Sequence, residues 1–82
     1  MSKTVLITGA NRGLGLEFSR QYAAAGWNVI ASCRSPDKAA ALRTLADEFP
    51  AVHVERLDVT SDEQIAALAG KYSATPIDVL LN

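Results

Sequence analysis

The sequence predicts a three-layer α/β fold on a parallel sheet, and two observations carry that prediction. Apolar periodicity switches repeatedly between strand and helix character along the 82 residues. A glycine-rich turn, Thr8-Gly9-Ala10-Asn11-Arg12-Gly13-Leu14-Gly15, joins the first strand-like run to the first helix-like one. Strands alternating with helices of this length imply right-handed βαβ crossovers, so the pattern βαβαβαβ is expected to give strand order 3-2-1-4.

Each element has its own signal. Lys3 to Thr8 is short and rich in β-branched and aliphatic residues, as a strand buried on both faces should be. From Leu14 to Ala25, Leu14, Phe18, Tyr22 and Ala25 fall on one helical face, and Gly26 ends the helix. Trp27 to Cys33 reads as the second strand. Ser35 is placed to cap a helix with Pro36 at its first position, and Leu42, Leu45 and Phe49 form its buried stripe. Ala51 to Leu57 is the third strand. Thr60 and Glu63 have capping-box spacing for a helix carrying Ile65, Leu68, Ala69 and Tyr72. Pro76 closes the next loop, and Ile77 to Leu81 is the fourth strand.

Composition narrows the function classes. A chain of 82 residues makes one small domain, 1–82, able to bury only about 60 to 65% of its unfolded surface. The formal net charge of −1 comes with no basic stripe, which argues against nucleic acid or an anionic membrane as main partner. No apolar run nears the roughly 20 residues of a membrane span, and Met-Ser-Lys-Thr enters a strand rather than a signal peptide. One cysteine, Cys33, fits a reducing compartment, so the expected location is cytoplasmic. His53 lacks metal-ligand spacing, Cys33 has no His or acid partner nearby in sequence, and Asp47-Glu48 and Asp62-Glu63 diverge around their helices. No metal site and no catalytic group are expected in this chain.

The glycine turn carries the chemistry. Gly9 can take the positive φ of a sharp exit from a strand, while Gly13 and Gly15 leave no side chain between backbone and ligand. The helix that follows aims unpaired N–H groups and the positive end of its dipole at the same gap, which suits a diphosphate. The spacing Gly-x-x-x-Gly-x-Gly differs from the commoner Gly-x-Gly-x-x-Gly and lacks the P-loop lysine. Asn11, Arg12 and Leu14 complete the loop. In such a sheet the ligand lies beyond the carboxyl ends of the strands, where Cys33 to Ser35, Asp58-Val59 and Asn82 also fall. An acid after the second strand would accept the ribose hydroxyls of NAD, whereas a basic residue suits the 2′-phosphate of NADP. Arg34 and Ser35 stand there, and Arg12 in the glycine loop can approach the same group from the opposite side, so NADP(H) is expected in preference to NAD(H). Asp58 has the chemistry to accept from an adenine amino group with the Val59 N–H beside it, and equally that of a turn residue ahead of Thr60 and Ser61. Both roles stand open.

Thr8-Gly9-Ala10-x-x-Gly13-x-Gly15 resembles the cofactor motif of the short-chain dehydrogenase/reductase family. The resemblance spans the whole chain and implies a Rossmann-type sheet. It also implies an Asp-Val pair at 58–59 against adenine, and Asn82 as first residue of the family's Asn-Asn-Ala-Gly segment. A basic residue before the second glycine with an arginine after the second strand is similar to NADP-preferring members. Asn-Arg-Gly-Leu-Gly-Leu-Glu ahead of a short helix is similar to the carbonyl reductase, C-factor and sniffer subgroup. The family exchanges hydride between nicotinamide and a carbonyl or alcohol through a serine and a Tyr-x-x-x-Lys pair. Here Gly26 stands four places after Tyr22 and Pro76 four after Tyr72. The expectation is therefore an N-terminal segment truncated from a longer reductase, binding the dinucleotide without catalysing. Its full-length form would take a small carbonyl or alcohol substrate as a homo-oligomer, and the segment itself could self-associate. The alternative is a stand-alone, non-catalytic nucleotide-binding or regulatory module.

Overall fold

The computed structural model describes residues 3–81. Four strands, β1 (Thr4–Ile7), β2 (Asn28–Cys33), β3 (Val52–Arg56) and β4 (Val79–Leu81), form one sheet in the order β3-β2-β1-β4. Every pairing is parallel, with Val5 opposite Val29 and Val79, and Val29 opposite Val52. The expected strand order therefore holds. The helices are α1 (Gly13–Ala24), α2 (Ala40–Glu48) and α3 (Asp62–Lys71), with a separate 3₁₀ turn at Pro36–Lys38. No helix among the described residues is long and apolar enough to cross a membrane.

Side chains alternate across the pleat, so the sheet has two apolar faces. On one, Val5, Ile7, Val29, Ala31, Cys33 and Val52 join Ala23 of α1 and Leu42 and Leu45 of α2 in a buried cluster. On the other, Ile30 is covered and Leu6 is half-buried, but Leu80 is 59% exposed and α3 has no buried residue. A groove of about 340 Å³ separates α3 from this face, lined by Leu6, Ile30, Ile65, Leu68, Tyr72 and Ile77 among others.

Three local expectations need correction. The inward side of α1 is not the Leu14, Phe18, Tyr22 and Ala25 face. Leu14 is 74% exposed and Ala25 is exposed, whereas Ser19 and Ala23 are buried. Small residues let the helix lie close to the sheet, and they leave no hydrophobic signature. Ser35 makes no cap bond. The chain closes a 3₁₀ turn through Lys38 N–H to Ser35 O and Ala39 N–H to Pro36 O, and α2 starts behind buried, non-helical Ala39. The cap of α3 is Ser61, whose Oγ accepts from Gln64 N–H at 3.3 Å, because the Thr60 hydroxyl is bonded to Asp58.

The end of α1 follows its sequence signal. Gly26 at φ +88° supports Trp27 N–H to Tyr22 O and Gly26 N–H to Ala23 O, the paired bonds of a Schellman ending. The Tyr22 and Trp27 rings meet edge to face at 4.7 Å.

α3 is held at its far end by polar contacts. Glu55 of β3 accepts from Tyr72 Oη at 2.5 Å and from Lys71 Nζ at 2.7 Å. Burial opposes ionisation of Glu55, but these two hydrogen bonds and the charges of Lys71 and His53 outweigh it and hold its carboxyl below the usual range. Burial, then the bond to Glu55 and its charge, push the Tyr72 hydroxyl well up.

Candidate functional site

All four strands deliver their carboxyl ends to one crevice of about 720 Å³. Its floor is the loop after β1, which hydrogen bonds hold in place. Thr8 N–H donates to Leu81 O and Ala10 N–H to Ser32 O, both at 2.9 Å, while Ser32 Oγ donates to Ile7 O.

The glycines have distinct jobs. Gly9 and Gly13 sit at φ +61° and +59°, a region other residues avoid. A Cβ on Gly15 would lie 2.3 Å from Gly9 O. Gly15 thus serves close approach of helix to loop, rather than only clearing space for a ligand as expected. Ser19 Oγ donates back to Gly15 O at 2.8 Å.

The start of α1 fits an anion. Its N-cap, Arg12, is extended and makes no side-chain cap bond, and no acid lies in the first turn. The first-turn N–H groups and the positive dipole end therefore face the crevice without a competing carboxylate. A diphosphate supplies the negative charge this arrangement favours.

Of the expected site residues, Gly9, Asn11, Arg12, Leu14, Gly15, Arg34, Ser35 and Val59 line the crevice. Gly13 shapes the loop without lining it, and Asp58 stands between the lining residues Leu57 and Val59. Asn82 lies outside the described residues. Phe18 also lines the wall and was missed, while Cys33 lines it at the strand end where the sequence put it. Phe18 was legible in principle, one turn beyond Leu14. Burial pushes the Cys33 thiol up, against smaller opposing effects of the Ser35 backbone and Arg56, so it presents a neutral surface.

Asp58 takes the turn role. Its Oδ1 accepts from Thr60 Oγ1 at 2.6 Å and Thr60 N–H at 2.9 Å, closing a turn. Its Oδ2 lies 3.8 Å from Arg34 Nε. The Thr60 bonds and, less strongly, the Arg34 charge hold this carboxyl below its ordinary range. Arg34 is 80% exposed in its side chain and free to reach a ligand.

The family model for short chain dehydrogenases matches residues 3–82. The chain belongs to the short-chain dehydrogenase family. It is 38% identical over 85 residues to retinol dehydrogenase 13 of Mus musculus, covering 98% of this chain and 25% of that protein. It is 42% identical over 80 residues to 2-keto-3-deoxy-L-fuconate dehydrogenase of Xanthomonas campestris, again covering 98% and 25%. A short-chain dehydrogenase/reductase from Burkholderia multivorans, solved with bound NADP, superposes with a TM-score of 0.90 at 36% identity, covering all of this chain and 36% of that one. The chain thus spans a quarter to about a third of these relatives. The family is one of oxidoreductases, and its nicotinamide dinucleotide fits the crevice built by the glycine loop and α1.

Proposed function

We propose that this chain is the NADP(H)-binding part of an oxidoreductase that moves hydride between nicotinamide and a carbonyl or alcohol substrate. In this reading residues 1–82 are the N-terminal nucleotide-binding portion of a cytoplasmic, homo-oligomeric reductase of carbonyl reductase type. The dinucleotide supplies the hydride. This chain's residues bind and orient it, the glycine loop and first turn of α1 taking the diphosphate, and Asp58-Val59 the adenine side.

The observation that carries the NADP preference is the end of β2. Cys33, Arg34 and Ser35 line the crevice together with Arg12, and no carboxylate occupies those three positions. An arginine fork suits a phosphate monoester and a carboxylate suits a ribose diol. A charge-assisted hydrogen bond contributes roughly 1.5 to 3 kcal/mol. Arg34→Ala is therefore expected to weaken NADPH about 10- to 100-fold and leave NADH little changed, read as the two dissociation constants by calorimetry. Equal weakening of both cofactors would remove the assignment of Arg34 to the 2′-phosphate.

A further inference from the structure

The turn that walls the crevice after β3 is fixed by a ring of hydrogen bonds, one of which reaches a side chain of α3. Gln64 Oε1 accepts Asp58 N–H at 2.7 Å, within a partly buried setting. The donor is a backbone amide, so the amide group of Gln64 must present its oxygen. One turn of backbone completes the circuit. Gln64 N–H donates to Ser61 Oγ, Ser61 N–H donates to Asp58 O at 2.9 Å, and Thr60 donates twice to Asp58 Oδ1. Packing does little here, since no residue of α3 is buried and Val59 is 60% exposed. The position of the Asp58 carboxylate and of the Val59 backbone is therefore set by polar contacts, and Gln64 is the one that reaches across the turn from the helix.

We propose that Gln64 is a positioning residue for the adenosine side of the crevice, its Oε1 locking Asp58 and Val59 in the orientation that a bound adenosine meets. The inference rests on the reading of the crevice as a dinucleotide site. It assigns Gln64 no contact with the ligand. Loss of the acceptor should leave the glycine loop intact and loosen only the adenosine wall.

Two substitutions and two probes separate the possibilities. Gln64→Met keeps length and helix propensity but removes the acceptor, and Gln64→Glu keeps an acceptor oxygen. The probes are ADP-ribose, which carries adenosine and diphosphate, and inorganic pyrophosphate, which engages only the glycine loop and α1. Titration calorimetry on this chain is expected to give ADP-ribose binding weakened roughly 3- to 10-fold in Gln64→Met, the range of one net hydrogen bond. Binding should return toward wild type in Gln64→Glu, with pyrophosphate unchanged in both. Wild-type affinity for ADP-ribose in Gln64→Met overturns the inference alone. Equal weakening of ADP-ribose and pyrophosphate also overturns it, because Gln64 would then support the fold generally. Failure of the unsubstituted chain to bind ADP-ribose overturns the dinucleotide reading itself and the inference with it.

Discussion

The two faces of the sheet are built differently. Toward α1 and α2 the strands meet Ala23, Leu42 and Leu45 in a continuous buried cluster, and the glycine loop is welded to that layer by Gly15 and Ser19. Toward α3 the strands meet an apolar groove, and the helix is tied by Ser61 and Gln64 at one end and Glu55 at the other. The glycine-loop end of the crevice thus has packed apolar surface behind its hydrogen bonds, while the wall after β3 rests on hydrogen bonds alone. Exchange of one face's mode of support for the other's should therefore have unequal effects.

The largest difference is expected from matched truncations. Leu42 is fully buried, and Leu42→Ala should cost about 2 to 5 kcal/mol. Leu68 is only half-buried beside the groove, and Leu68→Ala should cost about 1 kcal/mol. Urea unfolding of the two variants measures this. Equal costs would mean that α3 is packed as firmly as α2.

Glycines give the next contrast. A Cβ at Gly15 collides with backbone at Gly9 O, so Gly15→Ala should destabilise by about 1 to 3 kcal/mol and abolish ADP-ribose binding. Gly70, in α3, has open space around its missing Cβ, so Gly70→Ala should stabilise by roughly 0.5 to 1 kcal/mol. Thermal melts and calorimetry on the pair read both effects.

Acid should produce the smallest effect, and only on one face. Glu55 has a depressed folded-state pKa, so its contribution is full above the unfolded value of roughly 4.3 and is lost as pH falls through the lower folded value. Amide exchange in α3 is expected to quicken there before exchange in α2, and Glu55→Gln should remove the difference. Identical acid response of the two helices would break the comparison.

The same contrast explains what the sequence disclosed. Continuous apolar runs such as Thr4–Ile7 declare strands buried on both faces, Gly9 marks a left-handed turn and Gly26 a helix end, so topology and crevice were readable, whereas the left-handed φ of Gly13 was not. The inward side of α1 was not, because Gly15, Ser19 and Ala23 pack through smallness rather than hydrophobicity. The start of α2 was hidden too, since burial of Ala39 overrides Ser35 and Pro36 as a helix entry. Gln64 escaped notice because its role depends on an amide six residues earlier, and a helical glutamine otherwise looks like solvated surface. The pairing of Arg34 with Asp58 joins the ends of two strands, a proximity that only the sheet register creates.

The central strand meets its neighbours at very different distances along the chain. Thr4 pairs with Asn28, yet Asp78 N–H donates to Thr4 O, Asp78 Oδ2 accepts Thr4 N–H at 2.8 Å, and Thr8 N–H reaches Leu81 O. Contacts spanning more than 70 residues carry a larger loop-closure entropy and form slowly. The loop that would hold the diphosphate therefore receives its last anchor from the final strand. Binding competence should mature late in folding, with the Thr8 amide gaining protection after those of β2 in a pulse-labelled refolding time course.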